Sequence, residues 1–219
     1  MKDIAIFGAG GFGREVACLL RKINEHLRLQ CLEPWNFIGF FDDSIPAGTQ
    51  IDAFGKTLGG VSELNKWESS LAVAICIGTP STLRLVRSKI VNQNIYFPNL
   101  IYPHFECSDP DTFKIGEGNI VTGRLSVTTN VKIGDFNIIN GAVTIGHDVS
   151  IQNYNVIMCG VFIAGESYIG EENLLGTGCF IKQQIKVGRG VTISPLSAQL
   201  TNPKDNQVYI GNPAKKFKF

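Results

Sequence analysis

Aliphatic residues recur at every sixth position through the C-terminal half of the chain. From Ile115 to Ile193, all fourteen such positions hold Ile, Val or Leu. A period of six fits neither the 3.6-residue repeat of an amphipathic helix nor the two-residue alternation of a single strand. Three hexads instead make one 18-residue coil of a parallel β-helix, in which each hexad supplies a short strand and a corner. We therefore predict a solenoid of nearly five coils.

Glycines support the three-sided coil independently of the aliphatic positions. They fall on an 18-residue lattice at Gly116, Gly134, Gly170 and Gly188, with Gln152 at the one intervening position. Sharp corners need a permissive backbone, which glycine supplies. Equivalent residues of successive coils are then expected to stack on each other, about 4.8 Å apart.

The N-terminal part of the chain alternates strand-like and helix-like segments, which indicates a small parallel sheet. The predicted segments are strands Ile4–Phe7, Phe37–Phe41 and Leu71–Ile77 and helices over 14–24 and 80–90. We therefore expect a small α/β domain with half of a Rossmann-like fold over residues 1–98. The β-helix is expected over residues 99–219.

Composition excludes several classes of protein. Of 219 residues, 44% are apolar and 18% charged, which is typical of a globular chain. With a formal net charge of only +1, the chain has no overall positive charge that would attract nucleic acid or an anionic membrane. No apolar run is long enough for membrane insertion. Six scattered cysteines without a Cys-x-x-Cys pair, and no export signal, predict reduced thiols in a cytoplasmic protein without a metal site.

The ends of the predicted N-terminal strands carry polar and glycine-rich turns, where parallel sheets bind ligands. A glycine-rich turn before a helix exposes backbone N–H groups to phosphate. The first acidic residue at the end of the second predicted strand, Asp42, follows Gly8 by 34 positions. This is later than the ~20 typical of dinucleotide folds, so a nucleotide sugar fits better than NAD. The alternative is that these glycines only allow a tight turn between strand and helix and bind no ligand. The candidate ligand residues are Gly8, Gly10, Gly11, Phe12, Gly13, Asp42, Asp43, Gly78 and Thr79.

Several motifs together resemble one family, the bacterial sialic-acid O-acetyltransferases and nucleotide-amino-sugar N-acetyltransferases of the hexapeptide-repeat type. The resemblance covers almost the whole chain. The motifs are Ile6–Glu15, Ile38–Asp43, Cys76–Thr79, Phe97–Ile101, Ile145–Val149, Gly176–Gly178 and Ile210–Lys215.

The resemblance implies a left-handed β-helix, acetyl-CoA as cosubstrate and a homotrimer with active sites between adjacent prisms. It also implies that coenzyme A is bound by Gly176, Thr177, Gly178, Gly211, Pro213 and Lys215. The chain departs from the family at two places. Tyr102-Pro103-His104 stands where members often have His-Pro-Ser, and Val156 stands where many carry a second histidine.

The predicted catalytic group is His147, which lies two residues past the aliphatic position Ile145 and near a corner, where side chains point outward. Acetyl transfer needs a base and donors for the oxyanion, and imidazole exchanges protons near neutral pH. An incidental surface histidine is the alternative. Asp148 is expected to orient the ring. Gly165 occupies the equivalent position of the next coil, directly above His147, where it is expected to leave room for the thioester and to offer its N–H to the oxyanion.

Three functions are compatible with these residues. The first is N-acetylation of a nucleotide-linked amino sugar, by direct transfer in a ternary complex. The second is O-acetylation of a sialic acid or of another sugar or amino-acid hydroxyl, which needs the same base. The third is a non-catalytic β-helical scaffold, which the His147-Asp148 pair disfavours.

Overall fold

The computed structural model describes residues 1–217. The N-terminal region forms a six-stranded sheet in the order β3-β4-β2-β1-β5-β6, parallel except for the β3–β4 pair. Its strands are β1 (Lys2–Phe7), β2 (Trp35–Phe41), β3 (Gln50–Ile51), β4 (Gly55–Gly59), β5 (Leu71–Ile75) and β6 (Ile95–Tyr96). Its helices are α1 (Gly11–Leu29), α2 (Val61–Asn65) and α3 (Pro80–Lys89).

The three predicted strands and two predicted helices of this region are all present, which confirms the half Rossmann-like fold. Helix α1 continues beyond the predicted end at Asn24 to Leu29, and Asn24 itself is buried. Its side-chain amide exchanges two hydrogen bonds with the backbone of Trp35, which holds α1 against the start of β2. The elements β3, β4 and α2 were not predicted, since they are short and lie in a stretch of glycine and polar residues.

The C-terminal region is a three-sided parallel β-helix. The first face contains β7 (Leu100–Ile101), β10 (Ile120–Val121), β13 (Ile138–Ile139), β16 (Val156–Ile157), β19 (Leu174–Leu175), β22 (Thr192–Ile193) and β24 (Val208–Ile210), with the antiparallel β25 (Lys215–Lys216) at its end. The second face contains β8 (Glu106–Cys107), β11 (Leu125–Val127), β14 (Val143–Ile145), β17 (Phe162–Ile163), β20 (Phe180–Ile181) and β23 (Ala198–Gln199). The third face contains β9 (Lys114–Ile115), β12 (Lys132–Ile133), β15 (Ser150–Ile151), β18 (Tyr168–Ile169) and β21 (Lys186–Val187).

The predicted six-residue period describes the core of the helix. Every hexad position from Val121 to Ile193 is at most 4% exposed, and each strand pairs in register with the equivalent strand of the next coil. The β-helix begins one coil before Ile115, the residue at which the six-residue period starts. Ile101 pairs with Val121 rather than with Asn119, the partner that a constant period would give, because the loop before β9 is longer than its equivalents. This irregular coil includes His104, between β7 and β8.

A ladder of buried asparagines runs up the helix interior beside the aliphatic stack. Its members Asn119, Asn137, Asn155 and Asn173 are fully buried and occupy equivalent positions in successive coils. The side-chain oxygens of the first three each accept hydrogen bonds from the backbone N–H and the amide of the asparagine one coil above. The oxygen of Asn173 accepts from the N–H of Val191. Buried polar groups are stable only when satisfied in this way. The ladder therefore fixes the coil-to-coil register.

The two regions pack directly on each other. Outward side chains of the first face, among them Ile138 and Val156, share an apolar cluster with Phe7 and Leu83 of the N-terminal region. The Arg84 guanidinium of α3 binds the Glu172 carboxylate at 2.7 Å, and Arg189 binds the same oxygen. This contact fixes α3, and with it the turn at Gly78, on the β-helix.

Candidate active site

His147 and Asp148 occupy a corner between the second and third faces, which we call the second corner (residues 146–148 and their equivalents in the other coils). About half of each side chain is exposed. His147 Nδ1 lies 2.8 Å from Asp148 Oδ2. Asp148 adopts a left-handed backbone with φ of 58°, which turns the chain at this corner and leaves both side chains outside the core.

The Asp148 carboxylate is held in its ionised form. Its Oδ1 accepts a hydrogen bond from the Asn130 amide at 2.7 Å, and this bond together with that to His147 holds the pKa of the carboxyl below its ordinary value. An ionised carboxylate only accepts hydrogen bonds, so Nδ1 of the ring is the donor. Nε2 of the neutral imidazole is then left with its lone pair, as a general base requires.

Gly165 lies directly against the imidazole. A Cβ built on Gly165 would come within 2.6 Å of His147 Nε2, so only glycine accommodates the ring in this position. The space at Gly165 is thus taken by the imidazole, where we expected the thioester. The N–H of Gly165 makes no hydrogen bond within residues 1–217 and is free to donate to a ligand.

A second carboxylate near the imidazole was missed in the sequence. Glu166 stacks one coil above Asp148, and its N–H donates to the carbonyl oxygen of His147 at 2.8 Å. The amides of Gln184 and Gln183 bind its carboxylate and lower its pKa. Stepping one coil on from Asp148 would have found this residue, since the corner repeats with the coil.

The glycines of the turn between β1 and α1 are of two kinds. Gly8 has a φ of 107°, and a Cβ on Gly13 would come within 1.9 Å of the Gly8 carbonyl oxygen, so packing alone requires these two. Gly10 and Gly11 have no atom within 4 Å of a built Cβ and face open space. The α1 N-terminus beside them has no side-chain cap and no acidic residue in its first turn. Its free N–H groups, which include that of Phe12, suit an anion.

The carboxylates predicted to bind a ligand are engaged by the backbone. Asp42 Oδ2 accepts from the Ala9 N–H at 2.9 Å, and Oδ1 accepts from the Ser44 N–H. Asp43 Oδ1 accepts from the Val61 N–H at 2.8 Å. Both residues also line an open cavity of about 500 Å³ at the strand ends. They therefore stabilise the loops around that cavity, whatever they do for a ligand.

A second cavity, of about 350 Å³, lies at the junction of the two regions, and we call it the junction cavity. It lies beside the α1 N-terminus and the α3 turn, where Gly78 has open space around a built Cβ. Thr79 is the N-cap of α3 without a side-chain cap bond. The lining residues are Phe12, Glu15, Gly78, Ile138, Asn140, Val156, Met158 and Cys159. Val156, which replaces the second histidine of many relatives, forms part of the apolar wall.

The predicted coenzyme segments lie together at another corner, between the first and second faces, which we call the first corner (residues 140–142 and their equivalents in the other coils). Thr177, between Gly176 and Gly178, accepts from the Leu196 N–H, and Ser197 next to Leu196 binds the N–H of Gly211. A Cβ on Gly176 would come within 2.6 Å of Pro195 N, so coil packing requires this glycine. Pro213 follows Gly211 through a cis peptide bond with Asn212, and Lys215 pairs with Ile210 in the terminal hairpin.

The structure therefore assembles the predicted residues into two groups. The junction cavity and the coenzyme segments share the first corner, since Asn140, Met158 and Gly176 stack in successive coils. His147 lies at the second corner, across the second face. The stretch from Ala142 to His147 spans roughly 16 Å at the usual rise of a strand.

Neither a metal site nor a membrane span is found in residues 1–217. No group of three or more His, Cys, Asp or Glu side chains is placed to hold a metal ion in this part of the chain. None of its helices is both long and apolar enough to cross a membrane.

The similarity to proteins of known structure extends over almost the entire chain. Residues 3–93 match the family described as the PglD N-terminal domain. The acetyltransferase domain of PglB from Neisseria gonorrhoeae, solved in complex with acetyl coenzyme A, is 26% identical, with 99% of each chain covered and a TM-score of 0.82. The chain is an acetyltransferase, similar over almost its whole length to acetyltransferases built on hexapeptide repeats. No curated protein matches it significantly.

Two further structures share the fold of this acetyltransferase. One is a variant of perosamine N-acetyltransferase from Caulobacter crescentus in complex with CoA and GDP-perosamine (20% identity, 100% and 98% coverage, TM-score 0.83). The other is WeeI from Acinetobacter baumannii (22% identity, 99% and 100% coverage, TM-score 0.74). These matches confirm the predicted left-handed β-helix and the predicted family resemblance.

Proposed function

We propose that the chain is an acetyl-CoA-dependent N-acetyltransferase of a nucleotide-linked amino sugar, with His147 as general base. The observation that carries this proposal is the exposed His147–Asp148 pair, whose imidazole lies against Gly165, a residue with an unbonded N–H. A ring nitrogen with a free lone pair and an unbonded backbone donor on the neighbouring residue are the minimum groups that acyl transfer needs.

Direct transfer in a ternary complex accounts for these groups. His147 Nε2 takes one proton from the acceptor amine as its nitrogen attacks the thioester carbonyl carbon. The Gly165 N–H donates to the oxyanion that forms. As the carbon–sulfur bond breaks, His147 returns the proton to the departing sulfur, and the acetamide and the free thiol result. Asp148 keeps the ring in the Nδ1–H tautomer and stabilises the imidazolium that forms between the two proton transfers.

The first corner suits acetyl-CoA, which supplies the activated acetyl group. Gly178 has a left-handed backbone (φ 66°) and Gly160 stacks below it, so neither residue places a side chain of its own over the corner. The side chain of Leu196, one coil above, lies beside Gly178. The exposed Lys215 and Lys216 lie in the hairpin that closes the same corner and suit the phosphates of the coenzyme. We assign Gly176, Thr177, Gly178, Gly211, Pro213 and Lys215 to this site.

The N-terminal region, which we propose as a separate nucleotide-sugar domain over residues 1–98, suits the acceptor. The free α1 N-terminus at Gly10 and Gly11 is assigned to the phosphates. On either side of it lie the cavity at Asp42 and Asp43 and the junction cavity. We place the base and ribose in the first and the sugar in the second.

The active site requires a second copy of the chain, and we propose a homotrimer. An acceptor in the junction cavity is separated from His147 of its own copy by the whole second face. The second face carries two exposed aromatics of adjacent coils, Phe162 and Phe180, with ring centres 5.7 Å apart and ring planes tilted by 31°. A neighbouring prism on this face brings its own His147 towards the cavity. Light scattering at micromolar concentration tests this, and a fully active monomer would contradict it.

The decisive experiment for the activity is a thermal-shift screen of GDP-, UDP- and dTDP-linked 4-amino sugars, with and without acetyl-CoA. A true acceptor stabilises the folded chain by mass action. We expect at least one amino sugar to raise Tm and to be acetylated at nitrogen in a mass-spectrometric assay. Acetylation of only hydroxyl acceptors, such as sialic acid, would replace this proposal by O-acetylation.

A further inference from the structure

We propose that Glu15 is a specificity-determining residue that selects a cationic, amine-bearing acceptor over hydroxyl-bearing and anionic ones. The inference deepens the proposed function and rests on it, since it concerns the sugar in the junction cavity. It concerns a carboxylate on α1 to which no role has so far been given.

Among residues 1–217, Glu15 is the one formally charged side chain that lines the junction cavity. The remaining lining comprises four apolar residues, a glycine, one amide and a thiol. Phe12 precedes Glu15 by less than one helical turn, so both project from the start of α1 towards the same space. The cavity therefore presents a single negative charge against largely apolar walls.

No cation of the described residues neutralises this charge. The adjacent Arg14 donates instead to Asp52 at 2.9 Å, and Arg21 on the same helix lies over the ring of Phe54. Glu15 itself makes no hydrogen bond or ion pair within residues 1–217. A carboxylate left without a cation at the edge of a ligand cavity is available to a cation of the ligand.

The chemistry of the two candidate acceptor classes makes this charge selective. A primary amine on a sugar is largely an ammonium ion near neutral pH, and a carboxylate favours it through a charge-assisted hydrogen bond. The bound ammonium then releases a proton to solvent before the free amine attacks. A hydroxyl acceptor gains much less, and the carboxylate of a sialic acid meets a like charge.

The test compares Glu15→Gln with the wild-type chain on matched ligands. The probes are GDP-perosamine, its UDP- and dTDP-linked 4-amino counterparts, and the congeners with a hydroxyl in place of each amine. Calorimetry gives Kd and the acetyl-transfer assay gives kcat and KM. We expect Glu15→Gln to weaken binding of the amine about tenfold or more, the scale of one hydrogen bond to a charged group. We expect the hydroxyl congener to change less than about twofold, because a neutral hydroxyl gains little from the charge.

Glu25→Gln is the matched control, because it removes the same charge from an exposed position of the same helix, away from the junction cavity. It is expected to leave the amine-to-hydroxyl ratio unchanged. Equal losses for amine and hydroxyl ligands in Glu15→Gln, or no loss, would overturn the role of Glu15 while leaving N-acetylation intact. Wild-type chains that bind none of the amines would overturn the proposed function and this inference together.

Discussion

The β-helix and the N-terminal sheet place their predicted functional carboxylates in opposite situations. Asp148 projects from a corner whose core is made by other residues, and within residues 1–217 its side chain is hydrogen-bonded only to His147 and Asn130. Asp42 accepts hydrogen bonds from the backbone of two loops, including the glycine-rich turn at Ala9. In the proposed mechanism the solenoid thus separates chemistry from folding, whereas in the N-terminal sheet the side chains proposed to bind the ligand also hold the loops together.

This difference follows from how each fold is stabilised. The solenoid core is a stack of aliphatic residues such as Ile145 and Ile163, with a satisfied asparagine ladder beside it. Side chains that project outward from its corners, such as that of His147, consequently contribute little to this core. The N-terminal sheet has no repeat, and its loops are held by side chains that reach across from other loops. Mutations in the two regions should therefore separate activity from stability to different degrees.

The largest effect is expected for His147→Ala. Loss of a general base lowers kcat roughly 10²–10⁴-fold. The Tm should stay close to that of the wild-type chain, because the ring is half-exposed and the aliphatic stack is untouched. Steady-state kinetics and thermal unfolding of the same preparation test both parts. A variant that keeps more than about a tenth of wild-type kcat would refute the base assignment.

Gly165→Ala tests whether the contact between Gly165 and the His147 imidazole positions the ring at the second corner. The new Cβ would come within 2.6 Å of Nε2, so the ring must move. Displacement of a catalytic group by about 1 Å lowers the rate on the order of 10²-fold. Gly141→Ala is the steric control, since its Cβ would be 3.7 Å from the nearest atom. Because Gly141 lies at the first corner, kcat of both variants is measured at saturating acetyl-CoA. Comparable kcat values for the two variants would contradict the proposed contact.

Asp148→Asn tests the orientation of the His147 ring rather than proton transfer itself. We expect kcat to fall about tenfold, less than for His147→Ala, because the base is retained. Hydrogen bonds hold the pKa of Asp148 below its ordinary value, so the carboxylate is ionised at neutral pH and loses its charge only as the pH falls through that lowered pKa. The ratio of wild-type to variant kcat should therefore be constant from about pH 8 to 9, above the range in which free imidazole titrates. A ratio that changes steeply in this window would show that another group is involved.

The sequence predicted the solenoid more completely than the N-terminal region, for a physical reason. In a coil of constant length, a fixed step along the chain identifies the spatial neighbour, which is how Gly165 was placed beside His147. The same arithmetic fails for Ile101, because the first coil is longer than the rest. In the N-terminal sheet no such rule exists. The hydrogen bond between Asp42 and Ala9 joins two loops that are distant in sequence and leaves no trace in local pattern.

Asp42→Ala tests the N-terminal sheet, where stability and acceptor binding should change together. Two backbone N–H groups lose a charged acceptor, which costs about 1.5–3 kcal/mol per bond at most and less where water replaces it. We expect a lower Tm and a higher acceptor KM, with the KM for acetyl-CoA unchanged. An unchanged Tm with a raised acceptor KM would show that Asp42 serves the ligand alone.

The smallest effect is expected at the contact that joins the two regions. Arg84 of α3 and Arg189 of the β-helix share the Glu172 carboxylate, which is only 12% exposed, while both guanidinium groups are about half-exposed. An ion pair with one exposed partner contributes about 0.5–1 kcal/mol. Arg84→Met should therefore accelerate amide hydrogen exchange in α3 a few-fold with little change in Tm. Arg189→Met, which removes the other cation from the same oxygen but leaves the link between the regions, should leave exchange in α3 unchanged. If both variants accelerate it equally, the two arginines act as one unit, and the orientation of α3 depends on the charge of Glu172 rather than on the bond to Arg84.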